Sequence, residues 1–132
     1  MFLTSLTKYR EAGLLVLRIA LGIVFICAHG WPHLAGGIVK WRELGHAMAA
    51  VHIHFAPVFW GFMAAFSESI GAAMFIVGLL FRPACILLTI TMAVAALYTS
   101  RGNPDHSHAI ELGIVFFSLI FIGPGKYSVD KS

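Results

Sequence analysis

Five side chains able to take up or release protons stand inside otherwise apolar stretches of this 132-residue chain: His29, Glu68, Tyr98, His108 and Glu111. Arg18 is a further ionisable residue in such a stretch. Histidine changes its charge near neutral pH, and a carboxyl group beside it can act as proton donor or acceptor, so these types together suit general acid and base work. The spacing of His108 and Glu111, i and i+3, places both on one helix face. That spacing also matches the histidine and carboxylate pairs by which helix bundles hold metals.

The elements that must position these groups follow from composition. The chain is 59% hydrophobic and 11% charged, with a mean hydropathy of +0.87, against roughly 25% charged residues in ordinary soluble domains. A soluble globule is excluded by that balance, and the length leaves no room for an added catalytic or nucleic-acid-binding domain. A membrane-spanning helix takes about 20 apolar residues. Four apolar stretches are of that size, at residues 13–30, 55–81, 83–100 and 106–123, so we expect an all-α integral membrane bundle of four transmembrane helices in a single domain, 1–132. The first stretch has the cationic start of a signal peptide, but Arg18 within it and the further spans behind it favour a retained helix. Pro83 suits the first turn of a helix, and Gly123-Pro124-Gly125 is a strong helix stop.

Four spans put both termini on one side. That side holds Lys8, Arg10, Arg82, Lys126 and Lys131, against Lys40, Arg42 and Arg101 on the other, which places N and C termini in the cytoplasm. The same distribution explains the net charge of +3 as a topology signal, with no nucleic-acid partner implied. The segment Trp31–His54 is the long connection, expected to hold a short amphipathic helix at the outer interface or a re-entrant segment. Helix pairs one–two and three–four could be a weak duplication.

Counting about 1.5 Å per residue from the cytoplasmic end of each span puts Glu68 about 21 Å deep, Tyr98 about 22, Glu111 about 18, His108 about 22 and His29 about 24 Å. These five form one layer in the outer half of the bundle. Arg18, about 8 Å deep, is too far from Glu68 for a direct salt bridge and is expected to snorkel to the cytoplasmic face toward Asp130. An ionisable group in a span normally turns inward and finds a partner. Two roles for the layer stay open: it fastens helices to one another, or it exchanges protons with a quinone or other small redox ligand. A single metal on His29, His108 and Glu111 is chemically possible, but a di-metal site needs four carboxylates and only two are available. His29 and His33 are i and i+4, although Pro32 and the adjacent glycines argue against one continuous helix there. Cys27 and Cys85, at about 21 and 3 Å depth, are too far apart for a disulfide. No Cys-x-x-Cys pair or haem-attachment pattern is present.

Four pieces of the chain, in this order, resemble the DoxX family of small four-helix bacterial membrane proteins. These are LRIALGIVFICAHGWPHL, with Leu17-Arg18 and His29-Gly30; Glu68 with Gly71, followed by GLLFRPA at 78–84; and GPGKYSVD at 123–130. His33 departs from the pattern, since the family often has lysine there. The resemblance implies a four-helix bundle in a bacterial inner membrane, linked to respiratory or redox-stress chemistry, with Arg18, His29 and Glu68 as matched positions. Related proteins include membrane subunits associated with thiosulfate:quinone oxidoreductase. The expected function is a redox-associated, quinone-interacting subunit or accessory, with a membrane or periplasmic redox partner protein, the bilayer as its surroundings and a homo-oligomer as a further option. A non-catalytic scaffold is the alternative, with a small transporter or a metal-binding protein behind it.

Overall fold

The computed structural model describes residues 3–99 and 104–130, and every regular element among them is helical. Helix α1 (Ser5–Ala35), α3 (Pro57–Val77) and α4 (Phe81–Tyr98) are long and apolar enough to cross a membrane. Helix α5 (Pro104–Ile122) is apolar over His106–Ile122, a shorter run. Between α1 and α3 lies a short helix α2 (Gly37–Gly45), followed by a 3-10 turn His46–Val51.

The first span is longer than the expected 13–30, because the chain stays helical through Pro32. A proline in a helix interior leaves one carbonyl without its usual donor. Here a π-helical turn at Ile26–Gly30 comes just before Pro32 and shifts the hydrogen-bond register, a known way for a helix to absorb such a defect. The expected break does not occur. His29 and His33 therefore stay on one helix and face the same side.

Helix α2 also differs from an interfacial helix lying free. It folds back and packs along the start of α3 at backbone contact distance: a Cβ on Gly61 would sit 1.5 Å from the Trp41 carbonyl oxygen, and one on Gly45 1.7 Å from that of Pro57. Glycine at both places lets the two helices touch. His52 and Ala56, both with left-handed backbone angles, make the reversal between them.

The core runs along the facing sides of α1, α3, α4 and α5, where Phe25, Phe75, Phe81, Leu88, Phe116 and Leu119 are buried. Phe116 meets both Phe25 and Phe75 edge-on, at 5.5 and 5.4 Å between ring centroids, the favoured arrangement for aromatic pairs.

Where the C-terminal segment meets α1 and the end of α3, Arg18 is 1% exposed and does not snorkel. Its guanidinium donates to the carbonyl of Ile76, at 2.8 Å, and to that of Tyr127. Ile76 lies in the last turn of α3, where unpaired carbonyls carry partial negative charge, so the cation is stabilised without a carboxylate. Asp130, expected as the partner of Arg18, instead accepts from the backbone N–H groups of Leu80 and Phe81 at 3.0 and 2.7 Å and caps α4. Val129 N–H donates to Val77 and Asp130 N–H to Gly78, while Glu11 accepts from Lys126 N–H. The C-terminal segment is thereby tied to α1, to the end of α3 and to the start of α4.

Asp130→Ala should cost about 1 kcal/mol, the usual worth of a lost helix cap, and Arg18→Leu about 3 kcal/mol, as two charge-assisted bonds to carbonyls disappear. Thermal unfolding in detergent checks the order; a larger loss from Asp130→Ala than from Arg18→Leu contradicts the assignment of Arg18 as the central tie.

Candidate functional site

The two long helices α1 and α3 cross where each contains a π-helical turn, Ile26–Gly30 in the first and Ser67–Gly71 in the second. Such turns widen the helix and redirect side chains, and they recur at functional sites. Gly30 sits directly on the backbone of Glu68: a Cβ there would approach the Glu68 carbonyl oxygen to 2.9 Å and Ser69 Cα to 3.1 Å. Ser67, Glu68 and Ser69 are all buried at this crossing. The hydroxyl of Ser69 has no hydrogen-bond partner.

Glu68 is 4% exposed. Its carboxyl group is hydrogen-bonded to Nδ1 of His33, which reaches across from α1. A carboxyl group with this little access to water needs such a partner, because an isolated buried charge is very unfavourable. One turn earlier on α1, His29 Nε2 lies 3.0 Å from His108 Nε2 on α5. One of these nitrogens carries the proton and the other accepts, so the pair shares a hydrogen either as two neutral tautomers or as one imidazolium. The rings of His29 and His33 are 6.2 Å apart. Glu68, His33, His29 and His108 thus form a string of proton-carrying groups from α3 through α1 to α5.

This string faces a cavity of about 350 Å³, whose walls also include Lys40, Glu43 and Leu44 of α2, Met92, Ala95 and Tyr98 of α4, and Ala109 of α5. A second cavity of about 250 Å³ adjoins it and shares Leu44, Ala47, Glu68 and Ala95 as walls. Its other residues are mainly apolar, among them Trp60, Met63, Leu87, Ile90 and Val94. A chamber carrying the histidines and an apolar slot therefore have Glu68 as a common wall.

Of the five residues expected in one layer, His29, Glu68, Tyr98 and His108 line the first cavity. Glu111 does not: its side chain is exposed on the outer face of α5 and takes no part in the cavity wall. Among the described residues no three His, Cys, Asp or Glu side chains come together as a metal site, so the set His29, His108 and Glu111 is not assembled. Cys27 and Cys85 are both free thiols. Arg18 belongs to the C-terminal tie and does not approach this chamber. The residue that sequence reasoning undervalued is His33. Its i, i+4 relation to His29 was the available signal, and Pro32 between them obscured it.

Gly30→Ala should push α1 away from α3 and destabilise the fold by about 2 kcal/mol, as overpacked cores do. A thermal midpoint equal to that of the unaltered chain contradicts the close crossing.

No curated protein and no solved structure matches the chain. The family model for DoxX matches residues 13–101, which covers α1 to α4 with Arg18, His29, His33 and Glu68, and stops before the C-terminal segment whose resemblance was read from GPGKYSVD. That match spans more than half of the sequence, and with three apolar helices of membrane-crossing length it makes the chain a multi-pass membrane protein that belongs to the DoxX family.

Proposed function

We propose that this protein is a quinone-interacting subunit or accessory of an oxidoreductase complex in the bacterial inner membrane, with α5 as a fourth span and both termini in the cytoplasm. The observation that carries the reading is the pair of adjacent cavities that share Glu68 as a wall. The first offers histidine and carboxyl groups to a polar ring, and the second offers an apolar slot to a prenyl chain. Together they match the usual pattern of small-molecule sites, mostly apolar walls with a few placed polar groups.

Reduction of a quinone to a quinol adds two electrons and two protons to its ring oxygens. The electrons come from a redox partner protein. The protons are available from groups bonded in pairs around the chamber, His33 with Glu68 and His29 with His108, each able to release a proton and recover it. Both pairs also hold helices together, α1 to α3 and α1 to α5. That observation favours a second reading, a non-catalytic membrane scaffold in which the same bonds serve only the fold.

Binding of a long-tailed quinone to the purified protein separates the two. Glu68→Gln and His29→Ala, at membrane abundance equal to the parent chain, should weaken binding tenfold or more. Unchanged binding in both variants overturns the quinone reading, and loss of abundance in parallel with any loss of partner co-purification supports the scaffold.

A further inference from the structure

Glu68 stands near the middle of α3, about 16 Å from Pro57 and about 14 Å from Val77, so along its own helix the two ends are almost equally distant. The walls around it are not symmetric. Toward α2, side-chain exposure rises step by step through the chamber, from 6% at Glu68 to 20% at His33, 38% at Lys40 and 69% at Glu43, and all four line one cavity. Helix α2 carries Lys40, Arg42 and Glu43 within nine residues, a density of charge that belongs in water or at its edge. The chamber therefore runs from a mid-helix carboxyl group to a charged, hydrated rim.

Toward the C-terminal segment the bundle is shut. The ring of Phe25 lies against that of His29, with centroids 5.2 Å apart. From Phe25 a chain of ring contacts continues through Phe116 and Phe75 to Phe81, at 5.5, 5.4 and 5.2 Å, and each of these rings is at most 1% exposed. The layer crosses all four helices on the same side of the chamber: Phe25 precedes His29 on α1, Phe75 follows Glu68 on α3, Phe81 precedes Tyr98 on α4 and Phe116 follows His108 on α5. Close-packed apolar rings leave no room for water and give it no polar partner, so a proton has nothing to move along there.

We propose that the chamber is a one-sided port: Glu68 and His33 exchange protons with the compartment that α2 faces and are closed to the compartment on the side of the C-terminal segment. The other titratable groups of the chamber have the same access. His29 of α1, His108 of α5, Tyr98 of α4 and Lys40 with Glu43 of α2 all line it, beyond the phenylalanine layer. A histidine placed between a carboxyl group and water is suited to pass protons in either direction. An occupant that takes up or releases protons at Glu68 therefore exchanges them with one compartment alone. For the quinone proposed above, reduction draws two protons from that compartment as the partner supplies two electrons, and oxidation of the quinol returns two to it. With both termini in the cytoplasm, as proposed above, that compartment is the outer one. The port rests on the helices being spans, but not on the occupant being a quinone.

Reaction of single cysteines with a positively charged, membrane-impermeant methanethiosulfonate, in a Cys27→Ser background, tests the port in spheroplasts and in inverted membrane vesicles, since only an ionised thiol in contact with water reacts. Glu43→Cys marks the compartment of α2 and Lys126→Cys the opposite one. His33→Cys should react at least tenfold faster from the Glu43 side than from the Lys126 side, and so should Ala95→Cys, which keeps the bond between His33 and Glu68 and serves if His33→Cys does not fold. Comparable rates from both sides, or faster reaction from the Lys126 side, overturn the port. Protection of both cysteines from either side, while Glu43→Cys reacts, means a dry chamber and overturns the port without touching the quinone reading. Markers that react from the same side overturn the span arrangement and the port with it. Sided access in a chain that binds no quinone upholds the port and overturns the quinone.

Discussion

A carboxyl group enclosed in a hydrocarbon bundle must be given a partner, and the placement of Glu68 against His33 is the constraint on which the rest of this structure turns. To bring the two together, α1 has to pass Pro32 without breaking and α3 has to present Glu68 inward at the same level. Each helix does so with a π-helical turn, and the turns meet at Gly30, where the absence of a side chain allows backbone contact. The His29 and His108 pair then extends the polar contacts to α5. In a medium where burial of apolar surface gives no preference of one helix for another, close packing and such interhelical bonds decide the arrangement.

The other buried ionisable residue is handled by a different device. Arg18 receives main-chain carbonyls, one from the end of α3 and one from the C-terminal segment, and needs no acidic residue. This frees Asp130 to cap α4, and it makes the last residues of the chain part of the bundle. The two ends of α1 consequently have separate tasks, structural closure at Arg18 and a polar chamber at His29 and His33.

Much of this was legible from residue types alone. Sparse charges in a hydrophobic chain dictate a membrane bundle, and depth along each span brought His29, Glu68, Tyr98 and His108 to one level, where they do line a common cavity. Three features were not legible. A count of depth gives no rotation about the helix axis, which is why Glu111 shares the level but points outward. Local rules treat Pro32 as a breaker, whereas a π-helical turn just before it accommodates the proline. The partners of Arg18 are main-chain carbonyls distant in sequence, and side-chain chemistry leaves no trace of those. The short helix α2 was foreseen as an interfacial element, but its tight seat on α3 depends on Gly45 and Gly61, whose role appears only when both backbones are placed.

The function of the protein rests on what occupies the adjacent cavities at Glu68. Photolabelling with a long-tailed azidoquinone in native membranes, read by mass spectrometry of the modified peptides, addresses this directly. Label should concentrate on the peptides of α1 around His29 and His33 and on the α3 and α4 residues lining the apolar slot, and unlabelled quinone should compete it away. Label spread over the lipid-facing surfaces of α1 and α4, and insensitive to competitor, would contradict the central claim.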